Sequence, residues 1–434
     1  MVDVFCYGAS GPTGARSADV RVAMFDAHKF PGDARIGGPV VNAVRRLGVK
    51  PSVRSFDLLS LAMAVTAADT FVSRSARSDV AWGRTLHVSV PLVEPAAFKP
   101  VVLTLEGALG FLTGDQWKLD LRSGGRLPPE GQTRGDVLNL RKADSVCLFS
   151  GGLDSTIGVI DLTSTGKFPV LVSHSYPSDK ARQEEIQHLI LSGLPRFACV
   201  AHPRWRKLSS DTTMRGRSFD FLAMAAVTAS AVKTVTGISR VPLVVPENGF
   251  IAMNAPLTIR RIGSLSTRTT HPHFLGLVQR IFDILQLDID IENPYRHSTK
   301  GEMLRNCRNQ VALAKVASRT VSCGKWKRLH KQCGRCVPCL IRRMSFHSAG
   351  MSDPTDPCYR YPIVLNALND ETQRADILAL SNGVGWLGTP KLASRVGASG
   401  PLPMDPNERD ALQSVVERGL IEARNYFIAN GIPV

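Results

Sequence analysis

Between residues 141 and 247 apolar and polar positions repeat in a fixed rhythm: a short apolar run, a breaker, then a longer stretch with helical spacing. SVCLF (145–149) predicts a buried strand before a helix over 154–162, and FPVLVSHS (168–175) a strand before a helix near 181–191. RFACVAH (196–202) precedes a long helix over 219–235, and VPLVVPE (241–247) is the next strand. Repeated βα units of this size predict an α/β fold, a parallel sheet with helices on both faces.

The flanking regions have other patterns. Residues 1–140 read as a separate α+β accessory unit, with strand-like runs at Val2–Tyr7 and Thr85–Leu92 around a helical stretch over 56–72. FLTGDQWKLDLR (111–122) alternates as a half-buried strand does. The breaker-rich segment 123–135 marks a boundary. After Gly350 the chain is Pro-rich, then helical near 362–380 and 406–430, so the expected regions are 1–140, 141–350 and 351–434.

Composition narrows the class. At 434 residues and 44% hydrophobic content, the chain suits a globular protein with more than one core. The longest apolar tract, 58–72, is interrupted by Ser60, Thr66 and Asp69, which favours a buried helix over a membrane span. The first fifteen residues lack the basic start and apolar run of a signal peptide, so a cytoplasmic protein with no membrane partner is expected. Nine cysteines in such a chain suggest metal before disulfides. A net charge of +16 favours anionic partners, but no run of five like charges occurs. Nucleic acid is therefore compatible as a partner without being required.

Two glycine segments differ in context. GASGPTG (8–14) lacks a long buried strand before it and a clear second strand after it, so it reads as a glycine-rich loop, not a dinucleotide fingerprint. Ser150, Gly151, Gly152, Leu153, Asp154 and Ser155 lie between a strand and a helix. Paired glycines let backbone N–H groups approach an anion, and the helix start adds unsatisfied N–H groups. Ser150, Ser155 and Thr156 supply hydroxyls, and Asp154 suits Mg2+. This is not a Walker A loop. The bland alternative is a glycine turn capped by Asp154 or Ser155.

Cys323, Cys333, Cys336 and Cys339 form a C-x9-C-x2-C-x2-C array, suited to tetrahedral, structural Zn2+ with no open position. Closely spaced cysteines also suit an iron–sulfur cluster.

SGGLDS resembles the signature of the PP-loop ATP pyrophosphatases, which share an adenine nucleotide alpha hydrolase-like fold. CGRCVPCLIRR with Arg342, TKGE at 299–302 and GRSFDFLAMAA with Arg217 follow in an order similar to the 7-cyano-7-deazaguanine synthase (QueC-like) family, across about 145–343. Ser218 replaces that family's asparagine. With its FLTGDQW region and C-terminal helices, the whole chain resembles the QatC branch found in Qat anti-phage defence operons.

The resemblance implies a PP-loop sheet with a zinc knuckle and a C-terminal helical extension, with ATP, Mg2+ and Zn2+ as cofactors. Asp154, Lys300 and Arg217 become the catalytic candidates. The implied reaction is adenylation of 7-carboxy-7-deazaguanine or a related carboxylate, then transfer to ammonia or a partner-protein amine. Operon-encoded proteins are implied partners. Read alone, Lys300 is a solvated side chain near a helix cap and Arg217 a surface charge.

Departures bear on the acceptor. The family's substrate segment is replaced by 247–274, whose Arg260, Arg261, Arg268, His271 and His273 suit either a cover over an anionic ligand or a surface loop. Two other classes stay open: a tRNA-thiolating PP-loop enzyme, with Cys147, Cys199 and Cys307 as candidate cysteines, and a non-catalytic nucleotide-binding scaffold.

Overall fold

The computed structural model describes residues 1–9, 11, 18–74, 83–174, 176–206, 215–258, 268–369 and 371–434. Most of the 8–14 glycine loop, Arg260 and Arg261 lie outside the described residues.

The N-terminal unit is built on β1 (Val2–Tyr7), β2 (Val20–Met24), β3 (Ala34–Ile36), β4 (Thr85–Leu92) and β5 (Gln116–Ser123). Its strand order is β3-β2-β1-β4-β5, and every pairing is parallel. The region expected as α+β thus carries a parallel sheet of its own. Its crossovers include α1 (Val53–Phe71) and α2 (Val102–Thr113). The alternation expected over 111–122 divides in two. Phe111 to Thr113 finish α2, Gly114 ends it in the left-handed conformation (φ 74°), and the strand begins only at Gln116.

The second sheet matches the βα rhythm. It comprises β6 (Ser145–Leu148), β7 (Pro169–His174), β8 (Arg196–Cys199), β9 (Val241–Val244) and β10 (Ile289–Glu292), in the order β10-β9-β6-β7-β8 and again all parallel. Its helices include α3 (Leu153–Ser164), α4 (Pro177–Ile190), α5 (Arg217–Thr236), α6 (Gly249–Met253) and α7 (Pro272–Ile284). Beyond the sheet come α8 (Lys300–Asn306), α9 (Val337–Ser348), α10 (Glu371–Val384) and α11 (Pro406–Ala429). Of the helix expected over 362–380, only the part from Glu371 is α-helical; Leu365–Asn369 is a 3-10 turn.

The two sheets share a middle layer. α1 covers the first sheet, α5 covers the second, and the two helices pack on each other. Every residue of α1 from Ser55 to Phe71 is buried, as expected of a helix between two apolar partners. Pro95–Thr113 and Arg217–Thr236 are long and apolar enough to cross a membrane by composition, but the second is this inter-sheet helix. Asp69, a polar break in the apolar tract, is buried within α1. It accepts from the Gly216 N–H at 2.9 Å and from Arg84 at 2.7 Å, tying α1 to the start of α5. A separate C-terminal core joins α10 and α11 to Phe250 and Met253 of α6 and to Leu340 and Met344 of α9.

Candidate active site

The glycine loop joins β6 to α3 at the carboxyl rim of the second sheet. Gly151 takes φ 78°, and a Cβ there would meet Gln183 Cγ at 3.1 Å, so glycine serves both backbone and packing. The Val321 N–H donates to Gly151 O (3.1 Å), and Gln183 Nε2 donates to Ser150 O (3.2 Å). Gly152 occupies the helix cap with no side-chain capping bond, so neither Asp154 nor Ser155 caps the turn. A helix start leaves its first N–H groups without intrahelical partners, the arrangement that seats an anion. Ser150 Oγ and Ser155 Oγ stand 3.1 Å apart at this point. Thr156 is buried and donates to Gly152 O (2.8 Å), which makes it part of the helix start.

Asp154 turns inward. Lys300 Nζ lies 2.9 Å from its Oδ1, with both side chains buried. The solvated reading of Lys300 therefore fails. Thr299 and Glu302 form a capping box that starts α8 and fixes Lys300 in its first turn. Asp154 Oδ2 accepts from Asn248 N (3.2 Å) and Asn248 Nδ2 (2.6 Å). Burial works against the Asp154 charge, but Lys300 and hydrogen bonds from Glu247 and Asn248 outweigh it and hold the carboxyl below its usual range. Burial and the Asp154 charge push Glu247 the other way, well above the carboxylate range. Asp154, Glu247 and Lys300 thus form a compact unit behind the phosphate loop, in which the negative charge is favoured on Asp154 over Glu247. The close approach of α3 to Pro246 requires Gly158, where a Cβ would sit 2.4 Å from Pro246 Cβ.

Glu247 and Asn248 were visible in the sequence only as the start of a divergent segment. A Pro-Glu-Asn run directly after a buried strand was their one signal. Glu247 lines a cavity of about 190 Å3 with Ser150, Ser155, Ser218, Phe221 and Thr270, and Asn248 is fully buried.

Arg217 has its own partners. It is the first residue of α5, with its guanidinium 4.6 Å over the Tyr176 ring and Nη2 3.3 Å from Asp179 Oδ2. Tyr176 stacks on His174, whose Nε2 is 2.8 Å from Asp220 Oδ2. The segment 247–274 suited either a cover over an anionic ligand or a surface loop, and three of its described cationic candidates pack on α2. Arg268, His271 and His273 all contact the Phe111 ring, at 4.7, 5.2 and 5.0 Å. His271 is bonded to Ser399 at 3.1 Å, and burial, with His273 and Arg268 nearby, pushes it down to about 3. These three side chains fasten α7 to α2, and His271 is neutral.

The four cysteines of the array are buried, and their sulfurs all lie within 4.8 Å of one another. Cys323–Cys336 and Cys333–Cys339 are each separated by 3.9 Å between sulfurs. Four sulfurs bound to zinc at about 2.3 Å stand about 3.8 Å apart in a tetrahedron, so the cluster fits Zn2+. Backbone N–H groups of Lys325 and Cys333 point at Cys323 Sγ, both at 3.3 Å. Gln332, beside the cluster, holds the strap that supports the phosphate loop: it accepts from Ser322 N (3.0 Å) and donates to Thr320 O (3.2 Å). The buried Arg342 donates to Thr320 Oγ1 (2.7 Å) and Ala317 O (2.8 Å) and pairs with Asp353. The knuckle therefore supports the loop from below.

Cys147, Cys199 and Cys307 are buried and lie outside this cluster. Burial pushes all three thiols up, Cys199 and Cys307 to about 12.

A parallel α/β sheet with a glycine loop at its rim, a buried Asp–Lys pair behind it and a four-cysteine knuckle beneath it is consistent with the PP-loop class. No known family's sequence profile matches the chain. Short stretches are similar to 7-cyano-7-deazaguanine synthases. One, from Rhizobium etli, is 62% identical over 37 residues, 8% of this chain and 15% of that protein. Another, from Thiobacillus denitrificans, is 37% identical over 90 residues, 19% of this chain and 39% of that protein. The chain thus spans well under half the length of these relatives, and both similarities point to the QueC-like family.

Proposed function

We propose that this chain adenylates a carboxylate, 7-carboxy-7-deazaguanine or a close relative, and passes the acyl group to ammonia or to an amine of a partner protein. The observation that carries this reading is the buried Lys300–Asp154 pair at the first turn behind the glycine loop. A carboxylate oxygen bonds to the α-phosphorus of ATP while the bond to the β-phosphate bridge breaks, releasing pyrophosphate. The amine then bonds to the acyl carbon, loses a proton and expels AMP. Catalysis is positioning and charge stabilisation. The N–H groups at the start of α3, with Ser150 and Ser155, receive the departing pyrophosphate. Lys300 neutralises phosphate charge, and Asp154 orients it. Arg217, over the Tyr176 ring and beside Asp179, is the second cation proposed to neutralise phosphate charge.

Mg2+ would be held by Asp154, an oxygen donor suited to a hard cation, and when bound would supply charge neutralisation on the phosphates. The buried, high-pKa thiols of Cys147, Cys199 and Cys307 favour acyl transfer over thiolation. The replaced substrate segment and the packed N- and C-terminal regions favour a protein amine as acceptor and a place beside operon-encoded partners in anti-phage defence.

The test is incubation with Mg-ATP and 7-carboxy-7-deazaguanine, with and without ammonia or candidate partners. AMP and pyrophosphate that require the acid and vanish in Asp154→Ala support the reading. ATP binding without AMP formation under all conditions overturns it in favour of a scaffold.

A further inference from the structure

We infer that the seam between the two sheets carries a binding site for single-stranded nucleic acid, built from Lys29, Arg35, Arg204, Trp205 and Arg206. Arg35 lies in β3, an edge strand, and Arg204 follows β8, the edge strand of the other sheet. Their backbones exchange both hydrogen bonds, Arg35 N to Arg204 O and Arg204 N to Arg35 O, each 2.9 Å, as an isolated antiparallel bridge. Residues opposed in this way project side chains from one face as close neighbours, and like charges there repel. Both arginines are exposed.

Lys29 and Arg206 line the same opening, a cavity of about 390 Å3 with Trp205 in its wall. Among the described residues no carboxylate pairs with these four cations. Asp33, two positions from Arg35, is turned inward to the Tyr7 hydroxyl (2.7 Å) and Arg21. Burial, with the Arg204 and Arg35 charges, holds the His202 imidazole below its usual range, and its Nε2 accepts from Arg204 Nε at 2.9 Å.

A cluster of three guanidinium groups and one ammonium, without a carboxylate partner among the described residues, beside a two-bond backbone bridge is a seat for phosphates. Trp205 distinguishes which phosphate ligand fits. Its Nε1 donates to Gly32 O (3.0 Å) and its edge packs on Phe71, so the ring is fixed and half exposed at the opening. A fixed aromatic among cations stacks an unpaired base, which a duplex does not present. β8 lies two strands from β6, about 10 Å across the sheet. The site is therefore separate from the phosphate loop and independent of the adenylation reading.

The experiment is fluorescence anisotropy of the full chain with a labelled single-stranded oligonucleotide. If about four phosphates are neutralised, affinity falls roughly 50-fold between 50 and 200 mM salt. Arg35→Glu with Arg204→Glu is expected to weaken binding at least tenfold, and Trp205→Ala about tenfold. Lys118→Glu with Lys142→Glu makes the same charge change elsewhere and is expected to cost less than twofold. Arg35→Glu alone replaces a repulsive pair with an attractive one, so its melting temperature should be unchanged or higher, which separates lost binding from lost folding. No binding at 50 mM salt, or equal losses in the two double variants, overturns the inference. Polyglutamate that competes as well as the oligonucleotide, with Trp205→Ala silent, overturns it in favour of an acidic peptide.

Discussion

Lys300 Nζ stands 2.9 Å from Asp154 Oδ1, and the two residues come from the first turns of α8 and α3, far apart in sequence. Breaking a buried pair by removing one partner leaves an uncompensated charge, at a cost of about 3–5 kcal/mol. Lys300→Met and Asp154→Asn are each expected to lose stability on this scale in urea denaturation. Each should also lower acid-dependent pyrophosphate release by at least about a hundredfold, since the loss of positioned charge acts in the transition state.

Glu247 behaves differently because burial and the Asp154 charge push its carboxyl well above the carboxylate range, toward the protonated form. Glu247→Gln keeps the shape and an N–H donor, so the stability change should stay within about 1 kcal/mol, the net worth of one hydrogen bond. A large stabilisation would show instead that Glu247 is ionised, because Gln would then relieve a buried repulsion. Denaturation midpoints at neutral pH distinguish the outcomes.

The cysteine knuckle holds the strap whose Val321 N–H donates to Gly151 O. Metal analysis should return one zinc per chain and no iron. Cys339→Ser should lose the metal and lower the melting temperature by about 10 °C, the scale expected if several kcal/mol are lost from a chain of this size. ATP affinity should fall with it, although no cysteine touches the loop.

Glu422 of α11 accepts a hydrogen bond from the Thr299 hydroxyl, over the start of α8. Burial and the neighbouring Glu302 charge push its carboxyl from 4.5 up to about 7, against the opposing hydrogen bond from Thr299. A raised acid binds its proton more tightly when folded. Its contribution is present in full below pH 4.5 and is lost as pH rises through 7, by roughly 3 kcal/mol. Glu422→Gln cannot ionise, so it should be more stable than the parent at pH 8, with the gap closing toward pH 4.5. Thermal melts across this range provide the check.

Gly158→Ala places a methyl 2.4 Å from Pro246 Cβ, between α3 and the segment that carries Glu247. Overpacking of this kind costs about 1–3 kcal/mol. Because the clash pushes α3, with the phosphate loop and Asp154, away from the segment that carries Glu247, KM for ATP should rise in the surviving folded fraction.

Local pattern made the second sheet legible. The strand expected at 145–149 is Ser145–Leu148, and the helix expected over 219–235 is Arg217–Thr236. Apolar runs and helical spacing report burial directly, because each element must hide one face or all of itself. The N-terminal sheet was harder. β2 and β3 are short, and α2 runs directly toward β5 with only Gly114 and Asp115 between them, so the two periods blurred.

By itself the sequence determined the chemistry-bearing local units: the glycine loop at a strand–helix junction, the four cysteines at zinc spacing, and the helix start beside Lys300. Each depends on neighbours within one turn or one loop, where spacing dictates geometry. Only the tertiary structure decided that Lys300 faces Asp154 while Arg217 faces Tyr176, that the Glu247 carboxyl is pushed up by burial beside Asp154, and that Arg268, His271 and His273 clasp Phe111. It also set Arg35 opposite Arg204. Partner choice and protonation depend on which distant segments exclude water together, and that is a property of the packed molecule.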